Sequence, residues 1–350
     1  MIKKVNTVES QFTIPSKWYY EKNFLDHEKK EIFLKEWQLV GSHSQIKNPG
    51  DILVAEIANN PIIVSRQEDK TLKGFYNVCQ HRGGPLAYEN CSLSKLQCKY
   101  HGWVYDLNGS LKSARGFKNS ELNIEDYDLT PVNVTEWMGQ VFVNLSNTPP
   151  DLSNQIDEIK TLISPIDFSN YTFKFRESYK INCNWKVYMD NFLEGFHIPF
   201  VHPELNKVID YKSYKTEIYD RFSLQWCPLD IELSPYGKSP TPEENKAFYF
   251  TIFPNIILNI APGRLQTNIV EPKDSKTCVV HFDYHFDNPE KANIEQDAEF
   301  SELVQQEDIL ICESVQKGLE SNGYDQGKFS PLHEKGVLHF QSLIRGSLNL

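Results

Sequence analysis

The spacing of hydrophobic residues changes twice along this chain. Between residues 12 and 40 an extended lead precedes apolar residues at helical spacing, which predicts an amphipathic helix. These apolar residues are Phe24, Ile32, Phe33 and Trp37. From about residue 40 to 147 short apolar runs alternate with turn residues, which predicts a small all-β domain. The predicted strands are Asp51–Ile57, Pro61–Ser65, Lys73–Val78, Gly102–Asp106 and Gln140–Asn144.

The C-terminal half contains segments with helical spacing and segments with strand-like spacing of hydrophobic residues. A helix is predicted at Ser153–Ile163, another starts near Asn184, and a long helix covers Ile294–Leu319. The strands predicted between them are Tyr171–Asn182, Phe248–Ile260, Gln266–Glu271 and Lys276–Phe286. This order is typical of an α+β fold with an antiparallel sheet flanked by helices. We predict a helical lead at 1–39 that packs on the third segment, a β domain at 40–147, and an α+β domain at 148–350.

Composition narrows the classes of function. The 350 residues carry a net charge of −11, which argues against nucleic acid or an anionic membrane surface as partner. The richest apolar run, residues 248–261, is interrupted by Pro254 and is too short to span a bilayer. We find no secretory signal, and 7 cysteines in a chain of this length predict no disulfide framework. A cytoplasmic location is therefore expected, with Cys and His acting as metal ligands.

Two short segments each pair a thiolate with an imidazole. Cys79 and His81 occur in one predicted loop, and Cys98 and His101 occur in another, next to glycines. Two Cys and two His can form a tetrahedral zinc site. Zinc fingers, however, usually present Cys–Cys and His–His pairs, whereas one Cys and one His per loop suit a [2Fe–2S] cluster with both His on one iron. The sequence favours the cluster and leaves zinc as the alternative.

A second group of metal-binding residue types follows Asn184. In a continuous helix Asp190, Glu194 and His197 would share one face. Pro199 is expected to end or kink this helix, so that His202 turns back towards His197. A polar helix face is the structural alternative, but two imidazoles near a helix break favour a metal site.

A third ligand is expected on the long C-terminal helix. Asp308 falls within an apolar stripe formed by Val304, Ile311, Val315 and Leu319. A carboxylate on a buried face is costly unless it is paired or bound to a metal. Asp308 therefore completes a predicted facial triad of two His and one carboxylate. A buried ion pair is the alternative for Asp308, and neighbouring Glu307 lies off the stripe.

With both groups present, nearly the whole chain resembles the α-subunits of Rieske non-haem iron oxygenases, and within them the choline monooxygenase and quaternary-amine oxygenase branch. The segments that carry the resemblance are Pro15–Tyr19, the two Cys/His loops, Asn184–His202, Glu307–Gln316 and Glu334–Phe340. The resemblance implies that Cys79, His81, Cys98 and His101 bind the Rieske cluster. It implies that His197, His202 and Asp308 bind Fe(II), and that Glu194 links the cluster of one subunit to the iron of the next. A homotrimer is implied.

The implied activity is O₂-dependent hydroxylation or oxidative N-demethylation of a choline-, betaine- or carnitine-like compound. A separate NAD(P)H-dependent reductase or ferredoxin would supply electrons, because we find no dinucleotide-binding fingerprint. A quaternary ammonium group requires an aromatic cage. The candidate cage residues are Phe192, Phe196, Trp226 and Tyr249, with Phe200 and Phe248 as further possibilities. Two alternatives remain: an aromatic-ring hydroxylase on the same scaffold, and an electron carrier without oxygenase activity.

Overall fold

The chain folds as two units, one of which is discontinuous in sequence. The computed structural model describes residues 11–118, 122–230, 232–239 and 245–350. The residues up to Ile32 form one unit with Ser153–Leu350, and Phe33–Leu152 form the other. The predicted boundaries were 39/40 and 147/148, and the start of the predicted lead lies outside the described residues. The predicted α+β class is confirmed.

The unit at Phe33–Leu152 is built from antiparallel strands. A larger sheet has the strand order β1-β10-β9-β4-β3-β2-β5, and a smaller one has the order β6-β7-β8. The strands are β1 Gln38–Ser42, β2 Asp51–Ile57, β3 Asn60–Arg66, β4 Leu72–Tyr76, β5 Cys91–Ser92, β6 Leu96–Gln97, β7 Val104–Tyr105, β8 Leu111–Ser113, β9 Pro131–Trp137 and β10 Gln140–Asn144. Side chains such as Ile52, Ile63 and Phe75 pack with Cys79 and Cys98 in one core. This core holds the two cysteine loops against the sheet.

The other unit contains a single antiparallel sheet of order β11-β17-β16-β15-β14-β13-β12. Its strands are β11 Thr172–Ile181, β12 Lys215–Ile218, β13 Phe222–Pro228, β14 Lys246–Ile252, β15 Ile256–Ala261, β16 Arg264–Asp274 and β17 Thr277–Phe286. The helices are α1 Lys22–Glu28, α2 Leu152–Ile156, α3 Glu158–Leu162, α4 Trp185–Phe192, α5 Ile198–Val201, α6 Leu205–Val208, α7 Ile294–Leu319 and α8 Lys335–Leu348. Helix α4 lies over β16 and β17 and packs against α7 and α8. None of the helices in the described parts of the chain is both long and apolar enough to cross a bilayer.

Several predicted elements are interrupted in the structure. The helix expected before residue 40 is a short α1 that continues into a π-helical turn at Lys29–Phe33. The strand expected at Phe248–Ile260 is a hairpin of β14 and β15, because residues 253–255 form its turn and the Asn255 side chain donates to the carbonyl of Val270 at 2.9 Å. The helix expected at Ser153–Ile163 is split into α2 and α3. In contrast, α7 has the predicted bounds.

A buried polar network attaches the N-terminal lead to α4. The Lys186 ammonium lies 2.6 Å from Glu28 Oε1, and both side chains are completely buried. The indole N–H of Trp185 donates to the other Glu28 oxygen at 2.8 Å. Removing one partner of such a buried pair leaves an uncompensated charge, so this contact fixes where α4 lies.

Helix α8 approaches the end of α4 through a glycine. A Cβ on Gly336 would lie 2.3 Å from the carbonyl oxygen of Leu193, whereas a Cβ on Gly346 of the same helix would have no neighbour within 4 Å. Gly336→Ala should therefore destabilise the protein by about 1–3 kcal/mol, because backbone must move to relieve the overlap. Gly346→Ala should be neutral or stabilise by up to about 1 kcal/mol through helix propensity. Denaturant unfolding of both variants measures the difference; equal stabilities would show that α8 does not pack this closely.

Candidate metal centres and cavity

The two cysteine loops have nearly the same backbone hydrogen bonds. Cys79 N–H donates to Gly84 O at 2.8 Å, and Gly83 N–H donates to Cys79 O at 2.9 Å. In the second loop Cys98 N–H donates to the carbonyl five residues later, and Gly102 N–H donates to Cys98 O, both at 2.9 Å. Gly83 and Gly102 have φ values of 75° and 77°, in the left-handed region that glycine adopts without strain. Each loop thus folds back over its own cysteine.

The four predicted cluster ligands come together from these loops. The rings of His81 and His101 are 4.6 Å apart between centroids, and both cysteine side chains are buried. A Cβ at Gly84 would lie 3.0 Å from Cys98 Sγ, so a larger residue would crowd the sulfur. The Nδ1 atom of His81 is buried without a hydrogen-bond partner in the structure. An iron ion bound by His81 Nδ1 would give this nitrogen its missing partner.

The spacing of these ligands argues against one tetrahedral ion. Ligand atoms around a single zinc lie within about 4 Å of one another, since Zn–S and Zn–N bonds are about 2.3 and 2.0 Å. Within the described part of the chain, ligand atoms of His197, His202 and Asp308 all lie within 4.8 Å of one another, whereas the Cys/His loops bring no three ligand atoms that close together. Ligands divided between the two irons of a [2Fe–2S] cluster do not require that convergence.

Tyr105 and Trp103 support the cluster loops from the core. The Tyr105 hydroxyl accepts from Gln80 N–H at 3.0 Å and lies 3.4 Å from Cys79 Sγ. The His81 ring stacks on Trp103 with a centroid distance of 4.9 Å. Burial raises the pKa of the Cys79 thiol, so the thiolate requires a nearby positive charge such as iron.

The second group of ligands lies at a break between helices, and here one prediction is wrong. Helix α4 ends at Phe192, so Glu194 and His197 lie in the connection to α5 and do not continue one helical face from Asp190. Pro199 is in the first turn of α5, where a missing N–H costs nothing and the fixed φ suits the helix. The chain therefore turns before the proline, and His197 and His202 lie at the two ends of α5.

Three acceptor atoms converge at this break. His197 Nε2 lies 3.2 Å from His202 Nε2, and Asp308 Oδ1 lies 3.1 Å from His202 Nε2 and 3.9 Å from His197 Nε2. All three side chains are mostly buried, with exposed fractions of 17%, 2% and 14%. These distances suit three ligands of one metal ion.

Carboxylates on the far side of each ring set the tautomers. His197 Nδ1 lies 2.7 Å from Glu194 Oε1, and His202 Nδ1 lies 2.7 Å from Glu307 Oε2. If each Nδ1 carries the proton donated to its carboxylate, both Nε2 atoms present lone pairs to the same point. Two lone pairs and a carboxylate oxygen repel one another unless a cation lies between them. Burial lowers the pKa of His202, but Asp308 and Glu307 outweigh it and raise that pKa, which also indicates a site that attracts positive charge.

Helix α7 presents polar side chains to the interior beside part of the predicted apolar stripe. Leu319 of that stripe is buried and Val315 is 44% exposed, while the polar Gln305 and Gln316 are buried. Gln305 accepts from the Tyr188 hydroxyl at 2.7 Å, and Asp308 accepts from Asn191 Nδ2 at 2.6 Å. Asp308 does face inward as predicted, but on this polar face. Glu307, predicted to be the weaker candidate, orients His202.

A cavity opens beside the three converging groups. Its volume available to small molecules is about 100 Å³, and 7 of its 22 described lining residues are Phe or Tyr. These rings are Tyr188, Phe192, Tyr214, Tyr236, Tyr249, Phe282 and Phe300. Phe192 and Tyr249 lie edge to face with centroids 6.2 Å apart. Burial raises the pKa of Tyr214 and Tyr249, so these phenols stay neutral.

Two predicted cage residues lie elsewhere. Phe196 stacks on His333 with a centroid distance of 4.4 Å and is not among the residues that line the cavity. Trp226 lies between Lys215 and Lys246 and lines a different pocket with Phe248. Phe200 is 84% exposed. Of the predicted cage residues, Phe192 and Tyr249 line this cavity; the sequence did not single out Tyr214, Tyr236 and Phe300, which distant strands and loops bring to the same cavity.

Arg264 contributes a guanidinium group to the cavity wall, and Asp297 pairs with it. Arg264 Nε lies 2.7 Å from Asp297 Oδ2, and Arg264 Nη2 donates to Ser301 Oγ at 3.0 Å. Both charged side chains are buried, and the guanidinium lies over the Tyr236 ring. Among the described residues that line the cavity, Arg264 is the only Lys or Arg, and its charge is balanced by Asp297.

Comparison with known families assigns both units. Residues 36–129 match the Rieske [2Fe-2S] domain, and residues 168–348 match the ring hydroxylating alpha subunit catalytic domain. The chain belongs to the Rieske non-haem iron oxygenases. The oxygenase accordingly binds a [2Fe–2S] Rieske cluster and a mononuclear iron, and enzymes of this class take electrons from a reductase.

Individual relatives span nearly the whole chain. Choline monooxygenase of Arabidopsis thaliana is 33% identical over 98% of this oxygenase and 84% of its own length. The carnitine monooxygenase oxygenase subunit of Escherichia coli K12 is 31% identical, covering 96% of this chain and 94% of its own. The quaternary ammonium Rieske monooxygenase CntA in complex with L-carnitine superposes with a TM-score of 0.85 at 27% identity, covering 96% of this chain and 95% of that one.

The convergence of three acceptors predicts a stability effect of metal. Adding Fe(II) or Co(II) anaerobically to metal-depleted oxygenase should stabilise it by about 2.7 kcal/mol at a free concentration of 100 times Kd. Asp308→Asn should abolish most of this gain, because one acceptor loses its charge. Glu313→Gln on the same helix, which binds Asn182 instead, is the matched control. A gain of the same size in Asp308→Asn would remove Asp308 from the site.

Proposed function

We propose that this chain is the oxygenase component of a monooxygenase that hydroxylates, or oxidatively N-demethylates, a quaternary ammonium compound resembling choline, glycine betaine or carnitine. Each turnover consumes the substrate, one dioxygen, two electrons and two protons, and yields the hydroxylated product and one water. Hydroxylation of a carbon bonded to nitrogen gives a product whose C–N bond breaks, which releases a tertiary amine, an aldehyde and a proton. The names of the choline and carnitine monooxygenases that resemble this chain support the proposal.

We assign the mononuclear iron to His197, His202 and Asp308, and the cluster to Cys79, His81, Cys98 and His101. When bound, the iron activates dioxygen beside the substrate, and the cluster relays electrons to it. The chain's own contribution is orientation: Glu194 and Glu307 hold the two imidazoles, and Asn191 holds Asp308. Mutation of such hydrogen-bonding partners typically lowers metal affinity or activity by about 10- to 100-fold.

The observation that carries the proposed substrate class is the aromatic cavity without an uncompensated cation. A quaternary ammonium group has no N–H to donate and is held by ring faces, which contribute about 2 kcal/mol or more when desolvated. The rings that line the cavity supply those faces. Arg264 does not repel the ligand at full strength, since Asp297 balances it at 2.7 Å. The buried rings also exclude water from the bound substrate.

Electron supply and assembly are part of the proposal. We propose a homotrimer in which electrons pass from the cluster of one copy to the iron of the next, with Glu194 as the link beside His197, and a separate NAD(P)H-dependent reductase or ferredoxin as donor. Both units carry exposed apolar side chains that such contacts would cover. They are Tyr88, Tyr100 and Phe117 in the cluster unit and Phe196, Phe200, Leu310 and Leu332 in the other. We propose a cytoplasmic location, although the plant relatives are chloroplastic by name.

Turnover on a small panel tests the substrate class. Reconstituted oxygenase with a surrogate reductase should consume O₂ and release an aldehyde with at least one of choline, glycine betaine and carnitine. Simple aromatic acids should not be hydroxylated, because a carboxylated ring offers no cation to the cage. Product identification by mass spectrometry decides the outcome. Peroxide as the sole product with every amine, or hydroxylation of the aromatic acids alone, would overturn the proposal in favour of a ring hydroxylase.

Substitution of a cavity ring tests the cage itself. Tyr249→Leu should raise KM for the best amine by about 10- to 30-fold, since a desolvated cation–π contact of about 2 kcal/mol is lost. Trp226→Leu is the matched control, because that ring lies between two lysines outside the cavity. Steady-state kinetics of both variants give the comparison. A larger effect from Trp226→Leu than from Tyr249→Leu would place the ammonium group elsewhere.

A further inference from the structure

A second cavity lies beside the proposed iron site, and His197 is among the residues that line it. Its volume is about 300 Å³. Asn191, Glu194 and His197 line both cavities, so they form a wall between them. The second cavity contains none of the aromatic rings of the cage. Its remaining wall includes Asp190 and Tyr19.

Asp190 is an unusual member of that wall. Its Oδ2 accepts from the Tyr19 hydroxyl at 2.5 Å and from Gln341 Nε2 at 2.9 Å. Its Oδ1 is shielded from solvent and has no hydrogen-bond partner in the structure. An ionised carboxylate with one unsatisfied buried oxygen is disfavoured relative to the protonated acid. The carboxyl group can therefore carry a proton on Oδ1 while Oδ2 keeps both of its donors.

The charges around Asp190 do not reverse this preference. Lys186, on the same helix, is committed to Glu28 at 2.6 Å. From α8 and the residue before it come Gln341, Arg345 and Glu334, and Tyr19 and Tyr324 complete the surroundings. Burial raises the pKa of Asp190 to about 7, against the lowering effect of Tyr19, Gln341 and Lys186. Asp190 thus exchanges its proton near neutrality, unlike an ordinary Asp.

We propose that Asp190 supplies protons to the oxygen chemistry through water in the second cavity. This inference rests on the proposed function for its proton demand. Reduction of dioxygen with insertion of one oxygen atom consumes two electrons from the reductase and two protons, and the second oxygen atom leaves as water. Asp190 releases its proton to cavity water at the wall formed by Asn191, Glu194 and His197, and is reprotonated from bulk solvent. It does not touch the reacting atoms and acts through the water.

A purely structural role for Asp190 makes different predictions. The Tyr19–Asp190–Gln341 contacts also tie the N-terminal lead to α4 and α8, so any substitution there can lower stability. A proton-supply role affects only the reaction that takes its protons from the protein. Hydrogen peroxide brings both the electrons and the protons with it, because substrate and peroxide together yield hydroxylated product and water. Peroxide-driven turnover should therefore bypass Asp190.

Asp190→Asn keeps both hydrogen bonds of Oδ2 but cannot donate an acidic proton. Electron-driven O₂ consumption by this variant should fall about 10- to 100-fold at pH 7, in the range of general acid catalysis. The wild-type rate should fall as pH rises through about 7, where Asp190 loses its proton; the variant should lack that decline. Peroxide-driven turnover of variant and wild type should be similar, and Asp190→Glu should restore part of the electron-driven rate.

Asp283→Asn is the matched control, since Asp283 is a buried carboxylate that pairs with Arg176 and lines neither cavity. It should lower the melting temperature without changing the pH profile. If the panel yields no amine substrate, the same comparison is made on O₂ reduction to peroxide, which also consumes two protons, so the two proposals fail separately. An unchanged pH profile in Asp190→Asn, or an equal loss in peroxide-driven and electron-driven rates, would overturn the proton-supply role.

Discussion

The arrangement at the proposed iron site depends on three acceptor atoms that converge on one point. Two imidazole Nε2 atoms and a carboxylate oxygen meet within 3.9 Å. Glu194 and Glu307 each engage an Nδ1, which favours the tautomers whose Nε2 lone pairs face that point. In those tautomers the three acceptors repel one another, and a bound cation would remove that repulsion. The rest of the larger unit holds these groups in place.

The scaffold achieves this by ending one helix early and burying the polar face of another. Helix α4 stops at Phe192 and α5 begins at Ile198, so the connection can carry both Glu194 and His197. The buried face of α7 then supplies Asp308 and Glu307 from one turn. The buried ion pair between Lys186 and Glu28 holds α4 against the N-terminal lead. Polar residues are therefore buried where each has a specific partner, which favours one arrangement over many.

Two cavities meet at this centre and differ in chemistry. The proposed substrate side is aromatic, and its only cation among the described lining residues is neutralised by Asp297. The other side holds Asp190, whose pKa lies near 7. Under the two proposals, the cationic substrate occupies the cavity lined by all three proposed iron ligands, and protons arrive through the cavity that shares only His197 among them.

The sequence by itself determined the α+β class and the presence of a [2Fe–2S] cluster and a mononuclear iron, and it supplied the residues proposed to bind them. The Cys79–His81 and Cys98–His101 spacing has few other uses, and local periodicity determined the bounds of α7, because both are properties of neighbouring residues. Only the tertiary structure decided which aromatic rings form the cavity and how Arg264, Glu307 and Asp190 act. Those roles depend on contacts between residues far apart in the chain, such as Arg264 with Asp297 and Tyr19 with Asp190, and no local pattern specifies such contacts.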